Sequence, residues 1–338
     1  MPTAKRLPSG SYRVKVYDHS EHGKKIYQSF TAPTKDEAEY QAAEWKRKKN
    51  RRAKFDMTVE DCLQGYISAK EAVLSPSTVR GYLRMVKNNF ESIKNIRINK
   101  ITSETLQIFV SELAKDKSPK TVRNIYGLLV SAIGLYLPDM TYKVTLPQKS
   151  IKKDISPSNE DVKTLYEQAT PELKKCIALA AFGSLRRGEI CALTFSDLKE
   201  NVVTVTKDMV QDKDNKWVVK DIPKTAASVR QVKLPQKVVD LLGQGEPDER
   251  IIKYKNPGSI TQCFTKLRDR LGLDIHFHLL RHFYASIGVV LGIPDTYLSD
   301  FGGWGKGSNV MKEFYQNKII SMSDYYSDKM TEHFNKII

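Results

Sequence analysis

The sequence predicts a multidomain chain in three parts: a small N-terminal β-sheet plus helix (α+β), a four-helix domain, and a mainly α domain with a small antiparallel sheet. Three observations predict it. At 338 residues the chain exceeds what one hydrophobic core comfortably organises, so two or three domains are expected. Period-two alternation near the N-terminus gives way to apolar stripes at helical spacing. A stretch with Pro138, Pro147 and Pro157 and little periodicity then precedes a fresh helix start at Ser158. The expected divisions are residues 1–54, 55–140, a linker over 141–157, and 158–338.

In the first part, Tyr12, Val14 and Val16 alternate with Arg13, Lys15 and Tyr17, which is strand periodicity. A turn over 20–23 leads to a second strand over 24–32, and AKRL ahead of Pro8 could add a short third. Thr34-x-x-Glu37 is a capping box for a helix that passes Trp45 into the run KRKKNRRAK. This part carries 14 Lys or Arg against 6 Asp or Glu, a net +8, half of the chain's +16. Such an excess favours a polyanion, and nucleic acid is the usual one; a solubility surplus and an anionic membrane surface are the other readings. Arg13, Lys15 and Tyr17 are candidate DNA contacts, because a small basic sheet fits a major groove. The bland alternative is a solvated face.

In the second part, Thr58-x-x-Asp61 caps a helix with Leu63, Tyr66 and Ile67 on its apolar side. Ser75-Pro76 and Ser118-Pro119 open two more helices, each with Ser at the N-cap and Pro at the first position. Val79, Tyr82, Leu83, Val86 and Phe90 form one core stripe; Val122, Ile125, Leu129, Ala132 and Ile133 form another. Arg80, Arg84, Lys87, Lys120 and Arg123 remain outside, as basic edges for a duplex.

The third part starts at the capping box Ser158-x-x-Asp161. Residues 177–198 are apolar at helical spacing, broken at Gly183-Ser184 and resumed after Leu185-Arg186-Arg187-Gly188-Glu189. An arginine at a buried junction is expensive unless an anion meets it, and Glu189 can hold it in place; a purely internal Arg–Glu pair is the alternative. Strands over 201–207, 216–222 and 229–235 follow, with Lys224 in the turn between the last two. There it is solvated unless the hairpin overhangs a site.

His278 and His282 stand four apart on one helical face with Arg281 between them. A metal lacks a third ligand here and would meet the arginine's charge. A phosphate suits the arrangement, because a guanidinium fork takes two oxygens and an imidazole a third. An inert helix face is the remaining reading. Trp304 follows Gly302-Gly303 and could pack against such a site; Tyr315 lies in a helix over 308–318, where an isolated tyrosine is normally core. Cys62, Cys176, Cys191 and Cys263 are scattered and read as buried, reduced thiols. No apolar run approaches the ~20 residues of a membrane span, and MPTAKRLPSG lacks a signal-peptide apolar region. A cytoplasmic protein without a membrane partner is expected.

Taken in order, LRRGE, a lysine in a β-turn, HLLRH, Gly-Trp and a late tyrosine resemble the tyrosine recombinases, specifically phage-type or conjugative-transposon integrases. The resemblance spans the chain. It implies an arm-type DNA-binding domain, a core-binding SAM-like helical domain and a catalytic domain, in that order. It also implies that Arg186 and Arg281 grip the scissile phosphate, Lys224 protonates the leaving 5′ oxygen, and His278 assists proton transfer. Trp304 fills a position held by His or Trp, Tyr315 is the nucleophile, and Glu189 and His282 support the site. Two departures stand out. The family often has Thr-Gly-Leu-Arg where this chain has Gly183-Ser184-Leu185-Arg186, and the spacing from Trp304 to Tyr315 is slightly long. The second brings in Tyr325 and Tyr326 as reserve candidates, although the setting VMKEFYQN favours Tyr315.

The implied activity is site-specific breaking and rejoining of double-stranded DNA through a 3′-phosphotyrosine, integrating or excising a mobile element in a bacterial host cell. Neither metal nor cofactor is expected. The expected partners are core-type and arm-type attachment sites, a homotetramer on DNA, and accessory bending or excision factors. The C-terminal run 329–338 places Met330, Phe334 and Ile337 at helical spacing, for docking on a neighbouring protomer or packing on its own domain. A type IB topoisomerase and a non-catalytic DNA-binding protein on the same fold are the alternatives. The arm-like N-terminus argues against the first, and the complete Arg/Lys/His/Arg/Trp/Tyr set against the second.

Overall fold

The structure is a computed structural model and describes residues 3–21, 23–54, 56–149, 156–221, 229–304, 330–331 and 334–335. It forms two compact units, divided between residues 151 and 152.

In the first unit, strands β1 (Lys5–Arg6), β2 (Tyr12–Glu21) and β3 (Lys24–Ala32) form an antiparallel sheet in that order. The alternation has its physical meaning: Val14 and Val16 are buried in one cluster with Ala38 and Ala42 of α1 (Lys35–Lys54). Arg13, Lys15 and Tyr17 occupy the open face. Tyr17 pairs across the strands with Tyr27, ring centroids 5.8 Å apart and edge to face. A bulge follows Tyr17, and Asp18 there accepts from Lys49 of α1 at 2.7 Å.

Four helices follow: α2 (Val59–Lys70), α3 (Pro76–Asn89), α4 (Ser103–Asp116) and α5 (Pro119–Tyr136). The Thr58–Asp61 box closes in both directions at 3.1 Å. The α5 stripe is fully buried, whereas Tyr82, Leu83 and Val86 of α3 are only half-buried. Arg84, Lys87 and Lys120 are exposed and Arg80 is half-buried. Arg123 departs from the expected basic edge. Its guanidinium donates twice to the Pro147 carbonyl, at 3.2 and 2.9 Å, because the chain after α5 brings an unpaired carbonyl within its reach.

The second unit opens with α6 (Asn159–Gln168), capped by Ser158 and Asp161. The buried helix α7 (Pro171–Gly183) stops where Ser184 turns left-handed, and α8 (Arg187–Ala192) resumes. Then come β4 (Leu198–Lys199), β5 (Val202–Val205), β6 (Lys207–Gln211), β7 (Trp217–Asp221) and β8 (Arg230–Lys233). Helices α9 (Gln236–Leu242), α10 (Pro257–Arg270), α11 (His278–Val290) and α12 (Asp295–Gly302) complete the described part.

The strand pairing corrects the sequence reading. The run 201–207 is not one strand: it breaks at Thr206 into β5 and β6. Nor do the strands flanking Lys224 pair with each other. β7 pairs with β6, while β8 pairs with β5 through Val203 and Val232. Alternation fixes which face of a strand is buried, not which strand lies beside it. Here Val203, Val205 and Val232 share one core, which selects the long-range pairing. β7 and β8 therefore belong to different sheets; Lys224 lies outside the described residues, as do Tyr315, Tyr325 and Tyr326. The four cysteines are unbridged, three buried and Cys263 half-buried. No helix among the described residues is long and apolar enough to cross a membrane.

Candidate active site

The break between α7 and α8 builds one wall. Ser184 has φ 56° and ψ 28°, the left-handed conformation that ends α7. Leu185, only 1% exposed, fills the junction, so Arg186 does not. This corrects the expectation of a buried Arg186: its side chain is 41% exposed. Gly188 is required by close approach, since a Cβ there would collide with Asp208 and the Met209 carbonyl of β6.

Arg186 is held at three points. Its main-chain N–H donates to Glu189 Oε2 at 2.7 Å, Nη1 donates to Glu189 Oε1 at 2.7 Å, and Nη2 donates to the Gly303 carbonyl at 3.1 Å. Arg281, on α11, is the buried arginine, 1% exposed. It donates through Nη1 to the Ser184 carbonyl at 2.5 Å and through Nη2 to the Gly302 carbonyl. Two arginines far apart in sequence thus reach adjacent carbonyls at the C-terminal end of α12. Trp304 covers Arg281, with the guanidinium carbon 4.4 Å from the ring centroid. A Cβ on Gly302 would strike that ring, so glycine there lets the indole lie down.

His278 and His282 meet edge to face, centroids 4.8 Å apart. Partial desolvation, then the charges of His282, Arg281 and Arg186, hold the His278 imidazole down at about 4. The residue as a whole is exposed. Burial and repulsion from Arg186 likewise lower Arg281 well below the ordinary guanidinium value. Burial pushes Glu189 upward, but hydrogen bonds from Arg230 and the charges of Arg230, Arg186 and Arg281 outweigh it and hold the carboxyl at about 2.

Arg230 is the residue that sequence reasoning missed. It is 6% exposed and grips both Glu189 oxygens, at 3.1 and 2.7 Å. The available signal was its phase: Arg230 shares the inward face of its strand with Val232. A charge on an apolar face demands a buried counter-charge.

Two buried polar atoms, Arg281 Nε and Ser184 Oγ, have no hydrogen-bond partner among the described residues. Among those residues, no group of three or more His, Cys, Asp and Glu side chains could hold a metal ion. The site is a cationic nest around Glu189, with Asp208 nearby, a donor set suited to an anion with several oxygens.

Residues 158–318 match the family model for the phage integrase family, and residues 58–114 match that for the phage integrase N-terminal SAM-like domain. A tyrosine recombinase XerC-like protein of Caldanaerobacter subterraneus subsp. tengcongensis is 25% identical, over 86% of this chain and 88% of its own. The fold is similar to that of the Tn1549 transposon integrase in complex with transposon right end DNA: TM-score 0.65, 16% identity, 79% of this chain and 99% of that one. It is also similar to that of a lambda integrase tetramer bound to a Holliday junction: TM-score 0.57, 15% identity, 90% of this chain and 96% of that one. The chain belongs to the phage integrase family of tyrosine recombinases, enzymes that break and rejoin DNA at specific sites.

Proposed function

We propose that this recombinase integrates or excises a mobile element, with Tyr315 as nucleophile and Arg186 and Arg281 as the phosphate-binding pair. One observation carries the reading: Arg186 and Arg281 converge on the carbonyls of Gly303 and Gly302, beside His278 and Trp304. A buried charged N–H on Arg281 that lacks a protein acceptor among the described residues also suits an anion site.

The chemistry follows from charge. A phosphodiester is already negative and gains charge as a fifth oxygen approaches phosphorus. Fixed guanidinium donors stabilise that state before reaction begins. The Tyr315 oxygen forms a bond to phosphorus while the bond from phosphorus to the 5′ oxygen breaks. Lys224 delivers a proton to the leaving oxygen, and His278 takes up the proton that the Tyr315 hydroxyl gives up as it attacks. The product is a 3′-phosphotyrosine and a free 5′-OH. Attack by the 5′-OH of another strand reverses the step, so the bond energy is conserved and no nucleotide is consumed.

Exchange between two duplexes involves four strands, and hence four active sites. A homotetramer on DNA follows, in keeping with the tetrameric lambda integrase. Core-type sites are assigned to the helical domain through Arg80, Arg84 and Lys120, and arm-type sites to the sheet face with Arg13, Lys15 and Tyr17. Arg123, tied to Pro147, is withdrawn from the direct contacts. The C-terminal run with Met330 and Phe334, both about half exposed, docks on a neighbouring protomer. In a bacterial cytoplasm, accessory bending or excision factors would supply direction.

The test uses nicked duplexes with a randomised centre, from which the protein selects its substrate by forming a denaturant-stable adduct. Two-site strand exchange without sustained supercoil relaxation supports the recombinase. Relaxation alone supports a type IB topoisomerase, and binding without any adduct supports a non-catalytic protein.

A further inference from the structure

Arg230 has four hydrogen bonds and no free face. Nη1 and Nη2 donate to the two oxygens of Glu189, Nη2 also donates to the Ser184 carbonyl at 3.3 Å, and Nε donates to the Phe301 carbonyl at 3.1 Å. A guanidinium has five N–H groups, so this one is almost fully committed. Its donations to Glu189, Ser184 and Phe301 leave it no pair of N–H groups to fork a phosphodiester, whereas Arg281 Nε has no partner among the described residues. Its influence must pass through Glu189.

Glu189 is shared unequally. Arg230 takes both oxygens, while the side chain of Arg186 receives only Oε1, through Nη1 alone. A free carboxylate and a free arginine prefer a two-point fork. Without Arg230, Glu189 could close such a fork on Arg186 and withdraw it from a substrate. Charge balance points the same way. Glu189 faces three guanidinium groups, those of Arg186, Arg230 and Arg281, with Asp208 of β6 nearby. Arg230 absorbs the Glu189 charge, so that Arg186 and Arg281 can face the phosphate. It also holds the Ser184 carbonyl, to which Arg281 donates, and the carbonyl of Phe301, next to Gly302.

We infer that Arg230 is a positioning residue for DNA cleavage: it occupies Glu189 so that Arg186 stays available to the scissile phosphate. This rests on the reading of Arg186 as a phosphate ligand.

The test compares single-turnover cleavage of a wild-type-selected nicked duplex by the full-length wild-type protein, Arg230→Met and Arg230→Lys. With saturating protein at pH 8, Arg230→Met is expected to cleave ~100-fold more slowly, the scale of one lost transition-state donor. Its half-saturating concentration should change less than about threefold, since ground-state binding is spread over many phosphates.

The pH profile separates positioning from damage. The groups facing Glu189 are Arg186, Arg230, Arg281 and Asp208. In the wild type the carboxyl, at about 2, stays ionised across the working range. Losing Arg230 lets burial push it upward, and protonation then frees Arg186. The deficit of Arg230→Met should therefore shrink toward ~10-fold at pH 5. A merely loosened fold would do worse in acid. Arg230→Lys keeps the charge with a single point of contact, and should show a smaller deficit with the same trend. Should Arg230→Met fail to fold, Arg230→Lys carries the same pH test. Cleavage within about threefold of wild type, or a deficit independent of pH, overturns the inference. If the wild type captures no duplex at all, the phosphate-ligand reading fails instead.

Discussion

The guanidinium carbon of Arg281 lies 4.4 Å from the ring centroid of Trp304, and both side chains are buried. A desolvated cation over an indole gains about 2 kcal/mol, and the ring keeps water away from the cation. Trp304→Ala is expected to destabilise the protein by ~3–5 kcal/mol and to abolish detectable cleavage. Trp304→Phe keeps a ring over Arg281 and should retain most of the stability, so its remaining cleavage defect measures the indole N–H. Thermal melting and single-turnover rates decide both. An unchanged melting point for Trp304→Ala would mean that the stack holds nothing in place.

His278 gives the protein a defined acid response. Its folded-state value, about 4, lies below the ordinary 6.5. Between those values the unfolded chain binds more protons than the folded one. The contribution to stability is therefore complete above about 6.5 and is lost as pH falls toward 4. His278→Gln cannot titrate, so its melting temperature should fall less than the wild type's over that window. Parallel curves for the two proteins would contradict this.

Ser184 is a buried, left-handed, non-glycine residue whose hydroxyl has no partner among the described residues. Left-handed backbone costs about 1–2 kcal/mol for a residue with a Cβ. Ser184→Gly should raise stability by about 1 kcal/mol, read as a melting point higher by roughly 2–4 °C. A lowered melting point would show that the serine side chain earns its place through an interaction beyond those described.

The sheet face of the first unit sets the salt response. Lys15 and Arg13 are exposed on β2, beside the Tyr17–Tyr27 pair. If Lys15 neutralises a phosphate, Lys15→Ala should reduce the slope of log affinity against log salt by about one on a mixed-sequence duplex. An unchanged slope would remove Lys15 from the interface.

Much of this was legible in the sequence because it was local. The Thr58 and Ser158 boxes, the Val14–Val16 alternation and the break at Gly183-Ser184 each need only a few neighbouring residues to specify them. The pairing of β5 with β8 was not legible, because the valines that select it lie far apart in sequence. The same holds for the burial of Arg281 and the exposure of Arg186, which depend on Leu185 and Trp304 filling space around them. Arg230 hid in an ordinary strand; only its shared phase with Val232 marked it.

The most direct measurement is chemical. Wild-type protein is trapped on a selected nicked duplex, denatured and digested, and the peptide carrying the nucleotide is sequenced by mass spectrometry. The phosphate should be found on Tyr315 through a 3′ linkage, with Tyr315→Phe binding DNA normally and forming no adduct. A nucleotide on Tyr325, Tyr326 or any residue other than tyrosine, or a 5′ linkage, would contradict the assignment of the nucleophile.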